Sequence, residues 1–304
     1  RINWRNDIRM IEIKVLQAHQ GDCIWVRCIS EKTVNIVIDA GTSTFKKGFR
    51  NLVKEINNKK ERIDLLVFSH IDDDHIKGCI QYLQEKGKKI IDKVWINGSG
   101  SRVYSDMQEH SVNNVSNLVT LIMEKNIPIE TPILEGKEYV FCGGRIKVIG
   151  PTKNEMLKVA TKIEHSNQVT EHAGYKYVGN IIDVQDKYQP DLSDSNKASI
   201  IMVVEFENKK LLFTGDSTSE NIIKAVDKYY PGDEFEVVKL PHHGSSRNIS
   251  RELIRRLSTN KFIISTNKAL EKVVLFRFAE ERKTTELLCN YEWWATGYFT
   301  EDDI

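Results

Sequence analysis

One short stretch limits what this chain can fold into. Ile63 to Phe68, apolar but for Asp64 near its start, is a run of strand length that stops at Ser69-His70. Such a strand is apolar on both faces, so its sheet must be covered on both sides, as in layered α/β proteins. The flanking segments supply the layers. Ile11 to Gln17, Cys23 to Ile29 and Val34 to Ile38 read as three short strands of a β-meander, with Gln20-Gly21-Asp22 as a turn. Phe45 to Ile56 carries a helical pattern, and a helix is predicted over His75 to Lys86, with Ile76, Cys79, Ile80 and Leu83 on one face. Val94 to Ile96 follows as a strand and Val112 to Met123 as a helix. A hairpin, Tyr139 to Cys142 and Arg145 to Ile149, closes over Gly143-Gly144.

Residues 151–195 are polar and weakly patterned, with one helix near Asn154 to Lys162, and read as a lid-type insertion. Order resumes with a second hairpin, Ser199 to Phe206 and Lys210 to Phe213. A helix then runs through about Ala225, followed by a strand over Phe235 to Leu240, a helix over Arg251 to Leu257 and a strand over Phe262 to Ser265. A last helix is expected over Phe278 to Cys289. Two βα-rich halves joined by a polar insertion make a layered sandwich, read as one domain over residues 1–304.

Composition removes several classes of function. At 40% hydrophobic the chain can build a full core, which excludes disorder. No apolar run approaches the roughly 18 residues that span a bilayer. Residues 1–20 show no secretory h-region, so a cytoplasmic location is expected. A net charge of +1 makes no general case for a nucleic-acid or membrane partner. The five cysteines show no close metal-binding pair and read as reduced thiols.

Histidine is scarce, eight in all, and four of the eight lie in two short segments. His70-Ile71-Asp72-Asp73-Asp74-His75 and His242-His243-Gly244-Ser245 each begin where a buried strand ends, as do Asp39 and Asp216. Loops at strand ends converge, and imidazoles with carboxylates are the usual ligands of Zn²⁺ and related ions. His70 and Asp72 can face one ion, Asp74 and His75 another, and Asp216 can bridge them. A solvated helix cap would explain the aspartates but not His70 and His75.

Six segments resemble the metallo-β-lactamase superfamily, and within it the branch typified by the hydrolase domain of ComEC competence proteins. They are Gln20-Gly21-Asp22-Cys23, Ile38-Asp39-Ala40-Gly41, Ser69 through Gly78, Asn196 through Ser199, Thr214-Gly215-Asp216 and Pro241 through Ser245. The resemblance implies a four-layer αβ/βα sandwich, two mixed β-sheets flanked by helices, with two divalent ions (Zn²⁺ or Mn²⁺) at its edge or only one occupied. Asp72 stands where the superfamily usually has histidine, as in the ComEC-like branch. The resemblance gives the second ion one imidazole of the pair, His243, and leaves His242 for substrate or proton transfer. Asp39 would orient a ligand, while Asp22 and Asn196 would line the site. The further histidine that many members place before the bridging aspartate has no motif here, with only His110, His165 and His172 available.

The implied activity is hydrolysis by a water that the ions activate, with Asp74, Asp216 and His242 catalytic. The first expectation is a phosphodiesterase or nuclease, with nucleic acid or a small phosphodiester as partner and Arg247, Arg251, Arg255 and Arg256 beside the site. Those arginines also fit a solvated helix face. The alternatives are hydrolysis of a small phosphodiester, thioester or lactone, and a metal-bearing, non-catalytic partner-binding module. A role in bacterial anti-phage defence is a further expectation from similar stand-alone hydrolases.

Overall fold

The computed structural model describes residues 9–86, 89–97, 109–162, 180–181, 184–295 and 297–303. Two mixed sheets form the centre. The first has six strands in sequence order: β1 (Met10–Val15), β2 (Ile24–Ile29), β3 (Val34–Ile38), β4 (Leu65–Phe68), β5 (Val94–Ile96) and β6 (Ile129–Glu130). Its meander is antiparallel, and β3 through β6 run parallel. The second has seven strands in the order β13-β12-β11-β10-β9-β8-β7. These are β7 (Glu138–Phe141), β8 (Gly144–Gly150), β9 (Ile201–Phe206), β10 (Lys209–Phe213), β11 (Val237–Lys239), β12 (Lys261–Ile264) and β13 (Glu286–Cys289).

Side-chain alternation along each strand builds the layers. Ile36, Ile38, Leu65 and Val67 point inward, against Ile146, Met202, Val204, Leu211 and Phe213 of the second sheet. Their neighbours Val37, Leu66 and Phe68 point outward, under α1 (Lys46–Asn58) and α4 (Glu109–Glu124). On the far side, Val203, Leu212, Val238 and Phe262 pack under α7 (Ser219–Tyr229), α8 (Arg251–Arg256) and α9 (Lys272–Glu281). Each such buried side chain contributes about 1.5–3 kcal/mol. The result is helix, sheet, sheet, helix, the architecture of a metallo-β-lactamase sandwich, with the strand-end loops gathered at one edge.

Two expected helices differ. The segment after His75 is broken into α2 (Asp73–Ile76), a 3₁₀ turn over Lys77–Cys79, and α3 (Ile80–Gln84). Gly78 lies flat on the loop after β3: its N–H donates to the Gly41 carbonyl at 2.9 Å, and a Cβ there would sit 1.9 Å from the Ala40 oxygen. The last helix, expected over Phe278 to Cys289, starts earlier, at Lys272, and stops at Glu281. Glu286–Cys289 is instead β13, paired parallel with β12 from Lys261↔Glu286 to Ile264↔Cys289. The backbone of β12 has ladder groups to satisfy on that side, and Leu287 and Cys289 pack against the helix-covered core.

In the stretch read as an insertion, α5 (Lys153–Lys162) forms as expected. Residues 163–179 and 182–183 lie outside the described residues. The part from Val184 onward returns across the strand ends into α6 (Asp194–Lys197). No helix among the described residues is long and apolar enough to cross a membrane.

Candidate metal centre

Each element delivers its polar residue at a strand end. Asp39 leaves β3 in a left-handed conformation (φ 61°), which aspartate tolerates better than most residues. Ser69 and His70 leave β4, Asp72 stands just before the first residue of α2, and Asp74 and His75 lie on its single turn. Asp216 follows β10 through Gly215 (φ 53°). After β11, His242 and His243 are both left-handed, at φ 46° and 56°. Two consecutive non-glycine residues in this region cost of order 1–3 kcal/mol each, and such strain persists only where the surroundings enforce it.

The imidazoles converge on one atom. Asp216 Oδ2 lies 3.5 Å from His75 Nε2, 3.5 Å from His243 Nε2, 3.8 Å from His70 Nε2 and 3.8 Å from His242 Nε2. Around it, Asp72 Oδ2 is 3.5 Å from His70 Nε2. Asp74 faces both His75 Nε2 at 3.9 Å and His243 Nε2 at 3.7 Å. All six expected ligands, His70, Asp72, Asp74, His75, Asp216 and His243, therefore share one pocket.

The remaining polar atoms are arranged to orient these groups. Asp39 accepts from the Ser69 N–H and from the Ser69 hydroxyl, both at 2.7 Å, and holds His75 Nδ1 at 2.9 Å. Asp39 thus fixes the ring of His75. Asp22 pairs with Lys239 and stands 3.4 Å from His243 Nδ1, which lies 3.0 Å from the Ser265 carbonyl. Asn196 Nδ2 donates to Asp191 at 2.6 Å and lies 3.3 Å from His242 Nδ1.

Burial penalises every charge here, yet opposite charges prevail. Asp216, fully buried, is held well below the usual carboxylate range by His243, His75, His242 and His70. Asp74 is also driven down, chiefly by His75 and His243. Against their own burial, His243 is pushed up to about 10 by Asp216 and Asp22, and His75 is raised by Asp216, Asp39 and Asp74. The cage is built to hold positive charge at the Nε2 positions.

The donor set fits divalent cations. His70, His75 and His243 have buried Nε2 atoms with no hydrogen-bond partner, although each Nδ1 is engaged. His70, His75 and Asp216 offer ligand atoms within 4.8 Å of one another, as do Asp74, His75 and His243. Burying three imidazoles with unmet acceptors would be costly unless something binds them.

Sequence reasoning missed Asp191, Asn248, Lys239 and Ser69. Asp191 and Asn248 grip the back of His242, and the Lys239 ammonium, buried behind Asp22, donates to the Gly215 carbonyl at 3.2 Å. Of the spare histidines, His110 falls on α4 with its side chain outside the described residues, as His165 and His172 lie wholly outside them. The arginines after the His-His turn mostly face acids: Arg251 pairs with Glu280, Arg255 with Glu281 and Arg256 with Asp227. Arg247 lines the cleft over the cage, together with Lys268, Asn196 and His242, in a cavity of about 210 Å³.

A helix-flanked double sheet with a histidine–aspartate cage at its strand ends defines a metallo-β-lactamase-type fold. The family model of the metallo-beta-lactamase superfamily matches residues 16–94, which carry Asp22, Asp39 and the whole His70–His75 motif, and so supports that superfamily. Among solved structures, the chain is similar to the metallo-beta-lactamase fold protein YhfI from Bacillus subtilis, at 8% identity over 92% of this chain and 96% of that one, with a TM-score of 0.48. It is similar to the diiron β-hydroxylase CmlA from Streptomyces venezuelae at 11% identity, over 91% of this chain and 52% of that one, with a TM-score of 0.49. The chain thus spans about half the length of CmlA. Unliganded yeast PDE1 is similar at 12% identity, over 93% of this chain and 97% of that one, with a TM-score of 0.48. No curated protein matches the chain.

Proposed function

We propose that the chain is a metal-dependent hydrolase that opens phosphodiester bonds at a two-cation centre. His70 and Asp72 would hold the first cation, Asp74, His75 and His243 the second, and Asp216 both, with Zn²⁺ or Mn²⁺ suited to the mixed nitrogen and oxygen donors. The observation that carries this reading is the meeting of four imidazole Nε2 atoms at Asp216 Oδ2, three of them buried without a hydrogen-bond partner. When bound, the cations would lower the pKa of a water and neutralise charge on a phosphoryl oxygen. Asp74, 26% exposed at the cleft, and Asp216 below it offer carboxylates to orient that water and take its proton. Asn196 lines the cleft, and Arg247 and Lys268 supply positive charge for the phosphate.

The small cleft and the acid-paired arginines favour a short or terminal phosphodiester, or a single strand, over a duplex lying along the surface. Asp72 in a histidine position supports the ComEC-like branch and with it nuclease activity. A defence role rests on that resemblance alone, and unchanged phage sensitivity in a deletion strain would dismiss it.

The test is hydrolysis of bis(p-nitrophenyl) phosphate and of labelled single-stranded DNA, duplex DNA and RNA by protein loaded with Zn²⁺ or Mn²⁺, beside chromogenic thioesters and lactones. Turnover of phosphodiesters is expected, reduced more than about a hundredfold in Asp74→Ala and His75→Ala. Undiminished turnover in either variant overturns the site; turnover of thioesters or lactones alone overturns the substrate class.

A further inference from the structure

Under that reading the first cation has only His70, Asp72 and the shared Asp216, one ligand fewer than the second. We infer that His242 supplies the missing donor, so that each cation is held by two imidazoles, one aspartate of its own and the common Asp216. The inference rests on the proposed metal centre and reassigns His242 from proton transfer to coordination.

Hydrogen bonding fixes which ring nitrogen is available. Asn248 Nδ2 faces three oxygens, Asp191 Oδ2 at 3.0 Å and the Asp216 and Ser217 carbonyls at 3.2 Å each. The amide cannot be turned over without setting its oxygen against all three. Asn248 Oδ1 therefore faces His242 Nδ1, at 3.0 Å, with Asp191 Oδ2 a second acceptor at 3.5 Å. Asn196 Nδ2, at 3.3 Å, is the donor in the group, and it already donates to Asp191 at 2.6 Å. Nδ1 thus carries the proton, and Nε2 of the neutral ring carries the lone pair.

The same reasoning holds for the other three. The Ser69 hydroxyl gives its hydrogen to Asp39, so toward His70 Nδ1 at 3.0 Å it can only accept. His75 Nδ1 faces Asp39 and His243 Nδ1 faces the Ser265 carbonyl. All four rings have the arrangement of metal-ligating histidines, in which the outward N–H is held by a carboxylate, carbonyl or other acceptor.

Relative to Asp216, His242 stands level with His70. Donors about 2.1 Å from one ion, at tetrahedral to octahedral angles, stand about 3.0–3.4 Å apart. His242 Nε2 lies 3.8 Å from Asp216 Oδ2, the same separation as His70, so both need to close by only a few tenths of an ångström. His242 belongs to the first cation's side, because Asn196 behind it follows Ser195, whose hydroxyl donates to Asp72 at 2.9 Å. The double left-handed turn has a function on this assignment: it sends two adjacent rings to one carboxylate oxygen, one for each cation.

The experiment is Co²⁺ uptake by metal-stripped, full-length protein, followed by equilibrium dialysis and visible absorption. Wild type is expected to take two ions per chain. His242→Ala is expected to retain one of them while the other binds more than tenfold more weakly, with loss of the corresponding d–d band. Two ions of unchanged affinity in a His242→Ala protein whose circular dichroism matches wild type overturn the inference and leave the metal centre standing. No uptake by wild type sinks the metal centre itself, and the inference with it. Proton NMR of the Co²⁺-loaded wild type decides the matter without a substitution: four shifted, exchangeable imidazole N–H signals are expected, and three overturn the assignment.

Discussion

Asp39 shows how much one carboxylate can organise. It is 1% exposed and takes three donors: the Ser69 N–H, the Ser69 hydroxyl and His75 Nδ1. Through Ser69 it also orients His70, so it positions one proposed ligand from each half of the motif. Asp39→Asn would turn a donor toward groups that themselves donate. The expected result is a 10- to 100-fold loss of cation affinity by calorimetry, with about 1–3 kcal/mol lost in urea unfolding. Ser69→Ala should weaken the His70 side alone. At this scale the sequence was informative where residue types are rare. His70, His75, His242 and His243 stood out because histidine is scarce, and Asp39 and Asp216 because they end strands. Asp191, Asn248 and Lys239 carried no such mark, being common residue types whose roles exist only once distant segments meet.

The strands were legible from their alternation and turn residues, including both hairpins and the meander. What failed was the reading of apolar spacing where tertiary contacts decide, since α2 and α3 are divided by a glycine pressed on Ala40, and Leu287 and Cys289 complete a sheet edge. The two-residue β6 was too short to leave a pattern, yet it is firmly stitched. Glu130 accepts from Lys93 at 2.7 Å and from Trp95 Nε1 at 2.8 Å, and pairs with Lys137 at 2.9 Å. Partial burial works to raise its pKa, but these donors outweigh it and bring it to about 2. Because the folded value lies below the unfolded one, the contribution is complete above about pH 4.5 and disappears as pH falls toward 2. Glu130→Gln should therefore cost about 1–2 kcal/mol at pH 7, after allowance for solvent screening. That difference should vanish in urea titrations carried down to about pH 2, and a gap independent of pH would contradict it.

At the scale of the molecule the proposed ligands come from both sheets. His70, Asp72, Asp74 and His75 follow β4 of the first, whereas Asp216 follows β10 and the His242-His243 turn follows β11 of the second. Cation binding should therefore stabilise the sandwich as a whole. At a free cation concentration a hundred times the dissociation constant the gain is about 2.7 kcal/mol. Differential scanning calorimetry of stripped and reloaded protein should show a higher midpoint on reloading, and an unchanged midpoint would count against a site shared between the sheets. Layering was legible from the buried β4 run, whereas the handshake between sheets was not, because it depends on how the strand ends stack.

That division of the ligands along the chain has a temporal consequence. During synthesis the amino-terminal sheet leaves the ribosome with four of the side chains but nothing to close the cage. Asp216, His242 and His243 arrive only with the later part of the polypeptide. On the proposed centre, a chain cut short before Asp216 would carry only part of the ligand set.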